Sequence, residues 1–133
     1  MKMVTHQTSR AMRIFVLEDN EDTLKYLRRH LERLGHTVVS ASTIADSLAL
    51  FPSSNCEVLI SDIGLPDGDG WDFYEEIRPL GNVFAIAMSG YGRPSDHARS
   101  KSVGFLFHLV KPFQLSELDQ ILEKAAQTRT VAL

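Results

Sequence analysis

Cysteine is almost absent from the sequence, with Cys56 alone among 133 residues. A single cysteine excludes an intrachain disulfide framework and a paired-cysteine metal site, and it favours a reducing compartment. An excess of basic charge is also missing, because 14 lysines and arginines stand against 17 acidic residues and the net charge is -3. The chain therefore has no basic field that would favour nucleic acid or anionic lipid as a direct partner.

Long apolar runs are missing as well. The longest is six residues, Val83–Met88, whereas about 20 residues are needed to span a bilayer. The first ten residues are polar and lack the apolar region of a secretory signal. We therefore expect a cytoplasmic protein with no membrane segment. Internal repeats and proline- or serine-rich linkers are also absent, so 133 residues indicate one domain.

The sequence does contain a regular alternation of short apolar runs with stretches of helical spacing. Each apolar run predicts a strand, and each predicted strand is followed by a predicted helix. The predicted strands are Arg13–Leu17, His36–Ser42, Glu57–Asp62, Asn82–Gly90 and Gly104–Val110. Five strand–helix units in strict alternation predict parallel strands joined by right-handed crossovers, with helices on both faces of the sheet.

Local signals mark several helix ends. Four leucines at helical spacing form a stripe on the first predicted helix, and Gly35 follows at the position of a C-terminal cap glycine. Thr43 is the predicted N-cap of the second helix. The fourth helix, predicted over Ser95–Ser102, is the least specified because nearly all of its side chains are polar.

Polar and charged residues end four of the five predicted strands. The carboxyl ends of parallel strands meet at one edge of a sheet, where such sheets bind ligands, so these side chains are expected to lie together. They are Glu18 and Asp19 after the first strand, Asp62 at the end of the third, Ser89 in the fourth and Lys111 after the fifth.

This set of side chains indicates phosphoryl chemistry. Three crowded carboxylates repel one another, so the site needs a cation at neutral pH. Oxygen ligands without a nearby histidine or cysteine suit a hard ion, Mg²⁺ or Mn²⁺, better than zinc. With Lys111 and a divalent ion the charges of the site balance, and a phosphoryl group could be held by the metal, Lys111 and Ser89. The nucleophile would be a carboxylate.

The segments VLEDN, LISDIGLPDGDG, AMSGYG and GFLFHLVKPF, in this order and at these intervals, resemble the receiver domain of two-component response regulators. The resemblance covers residues 12–127, which leaves 1–11 as a flexible N-terminal segment and 128–133 as a C-terminal tail. It implies a flavodoxin-like, doubly wound (βα)5 fold of the α/β class. The five-stranded parallel sheet of that fold has the order 2-1-3-4-5.

The resemblance also implies roles for the site residues. Asp62 would accept a phosphoryl group from phosphohistidine, and Ser89 and Lys111 would contact that group. The aromatic switch position of the family lies three residues before the lysine, where this chain has His108. Two interpretations of His108 stay open: an imidazole satisfied by a neighbour in an edge strand, or a rotameric switch that follows Ser89 and responds to pH.

For the metal, the resemblance implies Mg²⁺ coordinated directly by Asp19, Asp62 and the backbone carbonyl of Gly64. Glu18 would act in the outer sphere, through water or at longer range.

The other aspartates near Asp62 have a simpler explanation. Asp67 and Asp69 lie in a Pro-Asp-Gly-Asp-Gly segment typical of turns and N-caps, and Asp72 is expected in the first turn of the third helix. A calcium loop is excluded because its fifth position would be Trp71, which we expect to pack on its helix or to meet a partner. The remaining histidines lack ligand spacing and are expected at the surface: His6, His30, His36 and His97.

The favoured function is a phospho-accepting signalling domain that catalyses only its own phosphorylation and dephosphorylation. Its partners would be a histidine kinase or histidine phosphotransfer domain, and a downstream protein that docks on the face of the fourth helix, fifth strand and fifth helix. One alternative is an aspartate-nucleophile phosphohydrolase, which would carry a second aspartate in place of Gly64. Another is a receiver-like binding module that is not phosphorylated, which would have lost an acid or the lysine. The chain could stand alone or belong to a longer protein such as a hybrid kinase.

Overall fold

The computed structural model describes residues 10–90 and 92–130. In these residues, five strands of one sheet alternate with five α-helices. The strands are β1 (Arg13–Leu17), β2 (Thr37–Ala41), β3 (Val58–Asp62), β4 (Phe84–Ser89) and β5 (Phe107–Val110). The helices are α1 (Glu21–Arg33), α2 (Ile44–Leu50), α3 (Gly70–Ile77), α4 (Pro94–Val103) and α5 (Leu115–Thr130). A small antiparallel ribbon, Gly64–Leu65 with Gly68–Asp69, lies between β3 and α3.

All neighbouring strands of the main sheet are parallel, and their order is β2-β1-β3-β4-β5. This confirms the predicted flavodoxin-like arrangement and its strand order. The order of the strands reverses between β1 and β3: β2 is added on one side of β1, and β3, β4 and β5 follow on the other side. The loops after β1 and β3 therefore run to opposite faces of the sheet and leave a crevice at the carboxyl ends of these strands. Within the described ranges, no helix is long and apolar enough to cross a membrane.

Two apolar layers cover the sheet, because successive strand residues point to opposite faces. Ile14 and Val16 of β1 pack with α1 and α5, whereas Phe15 and Leu17 pack with α3 and the end of α4. Every residue of β3 is buried. Each large apolar side chain that is fully buried contributes about 1.5–3 kcal/mol relative to an exposed one, so the core holds the strand ends in fixed positions.

Two predicted boundaries differ from the structure by three residues, and the remaining strand boundaries differ by at most two. The fifth strand begins at Phe107 and not at Gly104, because Gly104 adopts a φ of 122° and caps α4 through its N–H. Helix α5 continues to Thr130, so the first residues of the predicted C-terminal tail are helical. The domain limits themselves stay predictions. Residues 1–9, which form most of the predicted N-terminal segment, lie outside the described residues, as do 91 and 131–133.

The helix caps agree with the sequence except at one aspartate. Thr43 and Asp69 each accept a hydrogen bond from the backbone N–H three residues later, as N-caps of α2 and α3. Asp67, expected to act locally, instead accepts from the N–H groups of Ile44 and Ala45 in the first turn of α2. These bonds hold the pKa of the Asp67 carboxyl below its usual value. The loop after β3 is therefore attached to α2 by a contact remote in sequence.

His36 is buried, so the prediction that it lies at the surface is wrong. Only 8% of the residue is exposed, and its Nδ1 accepts a hydrogen bond from the N–H of Met12 at 3.0 Å. The pairing of β2 with β1 brings these two residues together just before the two strands begin. Burial lowers the pKa of the imidazole; Asp119 and Glu57 partly oppose this effect, whereas His30 and Arg10 add to it.

The other histidines differ among themselves. His30 is half-buried and bonded to Asp119 at 2.7 Å, which joins α1 to α5, so its predicted surface position is only partly right. His97 is exposed, as predicted. His6 lies outside the described residues.

We predict that His36 makes the fold sensitive to acid. The hydrogen bond from Met12 requires a neutral Nδ1, and the pKa of the folded state lies below the ordinary 6.5. The contribution of His36 to stability is therefore complete above pH 6.5 and is lost as the pH falls below it. The amide oxygen of His36→Asn accepts a hydrogen bond without titrating. In urea denaturation, the free energy of unfolding of the wild type should therefore fall by about 1 kcal/mol more than that of His36→Asn between pH 7.5 and 5.

A second variant separates the hydrogen bond from its titration. His36→Phe keeps a ring but has no acceptor, so it should be destabilised at both pH values. Equal losses of stability on acidification in the wild type and in His36→Asn would contradict this prediction.

Candidate functional site

The carboxyl ends of four strands bring four of the five predicted side chains, all except the buried Glu18, to one open cavity of about 460 Å³. Asp62 is the last residue of β3 and Ser89 the last of β4. Lys111 follows β5, and its N–H donates to the carbonyl of Ser89 at 2.7 Å, which continues the sheet pairing. The cavity is lined by Asp19, Asp62, Ile63, Gly64, Asp69, Trp71, Met88, Ser89, Gly90, Arg93, Asp96 and Lys111.

Lys111 lies between two buried carboxylates. Its Nζ is 2.7 Å from Oε1 of Glu18 and 2.6 Å from Oδ1 of Asp62. Glu18 is fully buried, and its second oxygen accepts from the N–H of Asn20 at 3.0 Å. Oδ1 of Asp62 is close to the ammonium but has no hydrogen bond of good geometry. The ion pair thus leaves this buried oxygen incompletely satisfied.

Asp19 completes a group of three acids. It is exposed, and its N–H faces Oδ2 of Asp62 at 3.4 Å. Glu18, Asp19 and Asp62 each offer one carboxylate oxygen, and these oxygens lie within 4.8 Å of one another. The resemblance implies that Glu18 acts at longer range, but its carboxylate is a member of this cluster. Lys111 and Asn20 already contact its two oxygens.

The negative charge of the two buried carboxylates is not fully balanced by the ammonium of Lys111. Burial raises the pKa of Asp62 to about 8, and the adjacent Glu18 carboxyl adds to this effect while Lys111 opposes it. Burial also acts to raise the pKa of Glu18, but Asp62, Lys111 and the Asn20 N–H together bring it below its usual value. The two carboxylates raise the pKa of Lys111 against the effect of burial. One ammonium is therefore insufficient for both buried acids.

The donor set fits a hard divalent cation. Carboxylate oxygens are the ligands that Mg²⁺ and Mn²⁺ prefer, and the incompletely satisfied oxygen of Asp62 belongs to this cluster. Gly64 lines the same cavity, and a Cβ added there would meet no atom within 4 Å, so the approach is open. Asp19, Asp62 and Gly64 could hold the ion, with Glu18 beside them.

His108 is hydrogen-bonded through both ring nitrogens. Its Nε2 lies 2.7 Å from Oγ of Ser89, and its Nδ1 lies 2.9 Å from Oγ of Ser100. The ring is half-buried in the edge strand β5 and stacks on His97, with the ring centroids 4.2 Å apart. Features of both interpretations of His108 are present, namely satisfied neighbours and a contact with Ser89. Its role as a switch stays a prediction.

The sequence did not place Trp71 or Ser100 at the site; it predicted only that Trp71 packs on its helix or meets a partner. Trp71 is only half-buried, lines the cavity and donates from Nε1 to Oγ of Ser100 at 2.9 Å. The guanidinium of Arg99 lies 4.2 Å from the centroid of the Trp71 ring and 3.8 Å from the carboxylate of Asp72, which is in the first turn of α3 as predicted. Ser100 belongs to a helix of mostly polar residues, and no local signal distinguishes it.

Comparison with known proteins agrees with this geometry. The sequence profile of the response regulator receiver domain matches residues 14–123. The KDP operon transcriptional regulatory protein KdpE of Escherichia coli K12 is 32% identical over 112 residues, which cover 84% of this chain and 50% of that protein. An uncharacterized 14.6 kDa protein of Leptolyngbya boryana is 32% identical over 121 residues, 89% of this chain and 92% of that protein. The chain thus spans about half the length of KdpE and nearly all of the second relative.

Solved structures agree as well. The non-phosphorylated HemR receiver domain of Leptospira biflexa superposes with a TM-score of 0.80 at 27% identity, over 86% of this chain and 94% of that one. A two-component response regulator of Clostridium difficile has the same fold, with a TM-score of 0.84 at 21% identity over 87% and 96% of the two chains. From the profile match, the strand order and the acidic cluster at the strand ends, we conclude that the chain belongs to the response regulator receiver domain family.

Proposed function

We propose that the chain is a phosphoacceptor in a two-component phosphorelay and that Asp62 receives the phosphoryl group. The observation that best supports this is the position of Asp62 at the end of β3. The residue is 3% exposed, its carboxylate is 2.6 Å from Lys111, and it borders a cavity shared with Asp19 and Ser89. The donor would be a phosphohistidine on a histidine kinase or on a histidine phosphotransfer domain.

The transfer requires few groups. An oxygen of the Asp62 carboxylate attacks phosphorus, the P–N bond of the phosphohistidine breaks, and its electron pair returns to the imidazole nitrogen. The new P–O bond makes an acyl phosphate on Asp62. Lys111, which already contacts Oδ1, donates to a phosphoryl oxygen, and the Ser89 hydroxyl reaches another from the end of β4.

The proposed cation ligands are Asp19, Asp62 and the carbonyl of Gly64, with Glu18 in the outer sphere. The chemistry supplied by bound Mg²⁺ or Mn²⁺ is positive charge, which favours the ionised form of Asp62 and offsets the charge of the phosphoryl oxygens. Glu18 holds Lys111 in position through its 2.7 Å ion pair, so the ammonium stays beside Asp62.

The proposed output is a change of the face formed by α4, β5 and α5. This face carries a second cavity of about 520 Å³ whose lining includes His108 and Ser100, and Leu106 and Val110 are 58% and 36% exposed. His108 connects the face to Ser89 by its 2.7 Å contact. A net charge of -3 favours a protein over nucleic acid as the partner of this domain. The chain could act alone or within a longer regulator or hybrid kinase.

A phosphohydrolase is the second candidate because the site resembles that of aspartate-nucleophile enzymes. Such enzymes carry an acid two residues after the nucleophile, where this chain has Gly64. Packing does not require glycine here, since an added Cβ would meet no atom within 4 Å. The missing acid therefore favours a stable phosphorylated state over turnover. A receiver-like module that is never phosphorylated is disfavoured because the acids and the lysine are all present.

Incubation with acetyl phosphate and Mg²⁺ should add one phosphoryl group to the wild-type chain, detected by intact mass. Addition should be absent without the metal and in Asp62→Asn. Asp72→Asn, which changes an exposed aspartate of the same segment, should be phosphorylated like the wild type. A phosphorylated Asp62→Asn would refute the assignment, and rapid consumption of acetyl phosphate without an adduct would favour the hydrolase.

Without a cation, Asp62 should weaken the fold at neutral pH. Since its pKa is raised from 3.8 to about 8, folding disfavours the ionised form, and the cost appears above pH 4 and grows until about pH 8. In chelating buffer at pH 8, Asp62→Asn should be more stable than the wild type by about 1–3 kcal/mol, and the gain should vanish towards pH 4. Urea denaturation measures this difference.

Two controls accompany the stability measurement. Glu75→Gln, an exposed site on α3, should change stability little at any pH. Added Mg²⁺ should stabilise the wild type by mass action and should stabilise Asp19→Asn much less. An Asp62→Asn variant no more stable than the wild type at pH 8 would mean that Lys111 fully compensates both buried acids.

Adding an acid at Gly64 should move the chain towards hydrolysis. Gly64→Asp places a carboxyl at the cavity edge, where it can assist water attack on the acyl phosphate. We expect the phosphorylated state to decay about tenfold faster, a small part of what a well-placed general base contributes. Decay of the adduct by intact mass is the measurement, and Gly64→Asn is the matched control. Equal lifetimes in the two variants would contradict this prediction.

A further inference from the structure

Four side chains from four elements form one continuous hydrogen-bonded chain. It starts at Trp71 of α3, passes through Ser100 of α4 and His108 of β5, and ends at Ser89 of β4. The successive heavy-atom distances are 2.9, 2.9 and 2.7 Å. Both ends of the chain, Trp71 and Ser89, line the cavity that contains Asp62. The hydrogen bonds therefore connect two parts of the cavity wall, Trp71 and Ser89, through the contact between α4 and β5.

The donors and acceptors in this chain have a direction. The indole N–H of Trp71 can only donate, so one lone pair of the Ser100 oxygen is taken. Ser100 is 1% exposed, and among the described residues its side chain is hydrogen-bonded to Trp71 and His108. If it also accepted from His108, its own proton would be buried without an acceptor, which is costly. The Ser100 hydroxyl therefore donates to Nδ1 of His108.

The direction of that bond decides the tautomer of His108. A neutral imidazole carries one proton, so when Nδ1 accepts, the proton is on Nε2. Nε2 then donates to the oxygen of Ser89, and the hydroxyl proton of Ser89 points away from the ring. Burial and the neighbouring His97 lower the pKa of His108, while Asp96 opposes this, which is consistent with a neutral ring.

We propose that Trp71 and Ser100 are positioning residues that hold His108 in its Nε2–H tautomer, so that Ser89 turns its hydroxyl proton away from the ring and donates it to the phosphoryl group. The role of Ser89 in this statement rests on the proposed function, whereas the tautomer does not. Because Ser100 holds Nδ1, His108 stays in place when Ser89 moves, and the ring transmits the change to α3 and α4 through its hydrogen bonds and not by swinging.

The tautomer of His108 is measured on the unphosphorylated, metal-free protein. Long-range ¹H–¹⁵N NMR spectra at pH 7.5 should show His108 protonated on Nε2 and unprotonated on Nδ1, with its signals assigned by their loss in His108→Gln. Protonation on Nδ1, or an even mixture of the two tautomers, overturns the proposal. This measurement involves no phosphoryl transfer, so it holds even if Asp62 proves not to be phosphorylated.

Variants test the two positioning residues. Ser100→Ala removes the donor to Nδ1 of His108 and should give a mixture of tautomers. Its phosphorylation by acetyl phosphate should also be about fivefold slower, which is the effect expected from the loss of one hydrogen bond. Trp71→Phe keeps a ring but leaves Ser100 able to accept, and it should increase the Nδ1–H tautomer. Ser102→Ala, an exposed serine on the same helix, is the matched control and should change neither quantity.

The outcomes distinguish control of the His108 tautomer from a purely structural role of Ser100. Ser100→Ala with the tautomer and rate of the wild type overturns the proposal. A slower rate with an unchanged tautomer also overturns it, because this would show a structural role alone. If Ser100→Ala does not fold, the tautomers of the wild type and of Trp71→Phe still decide.

Discussion

The ion pairs of Lys111 with Glu18 and Asp62 are the interaction on which the rest of the site depends. Their lengths, 2.7 and 2.6 Å, join residues that follow or end β1, β3 and β5. Two carboxyl groups buried this close together can both be ionised only with a cation between them. The strand order satisfies this need, because β1 and β3 are neighbours and β5 lies two strands from β3, within reach of a long lysine side chain.

The acidic cluster at the proposed ligand site has some cost to stability. One ammonium does not balance the acids, and the raised pKa of Asp62 expresses this shortage of positive charge. The two apolar layers on the sheet provide the stability that permits it. A bound divalent cation would offset this shortage of positive charge, and with it in place the same open cavity could accept a phosphoryl group, so the feature that weakens the protein alone also favours its proposed cation.

The proposed communication away from the site would depend on polar contacts in a region with few apolar ones. Helix α4 buries Ser100 and Val103, and the other described residues of this helix are at least partly exposed. Ser100 is nevertheless held by His108 and Trp71 at 2.9 Å each. A helix attached mainly by hydrogen bonds can shift at low energetic cost when one of those bonds changes.

The sequence by itself determined the alternation of strands and helices, the N-caps Thr43 and Asp69, and the strand ends that carry the acids, because these depend on near neighbours along the chain. The tertiary structure alone decided the burial of His36, the attachment of Asp67 to α2, and the chain from Trp71 to Ser89. Most partners in those contacts lie 19 to 29 residues apart, and Ser100 and His108, 8 residues apart, belong to different elements, so all of them meet only when strands pair and helices pack. No local pattern encodes which remote side chain will satisfy a buried donor or acceptor.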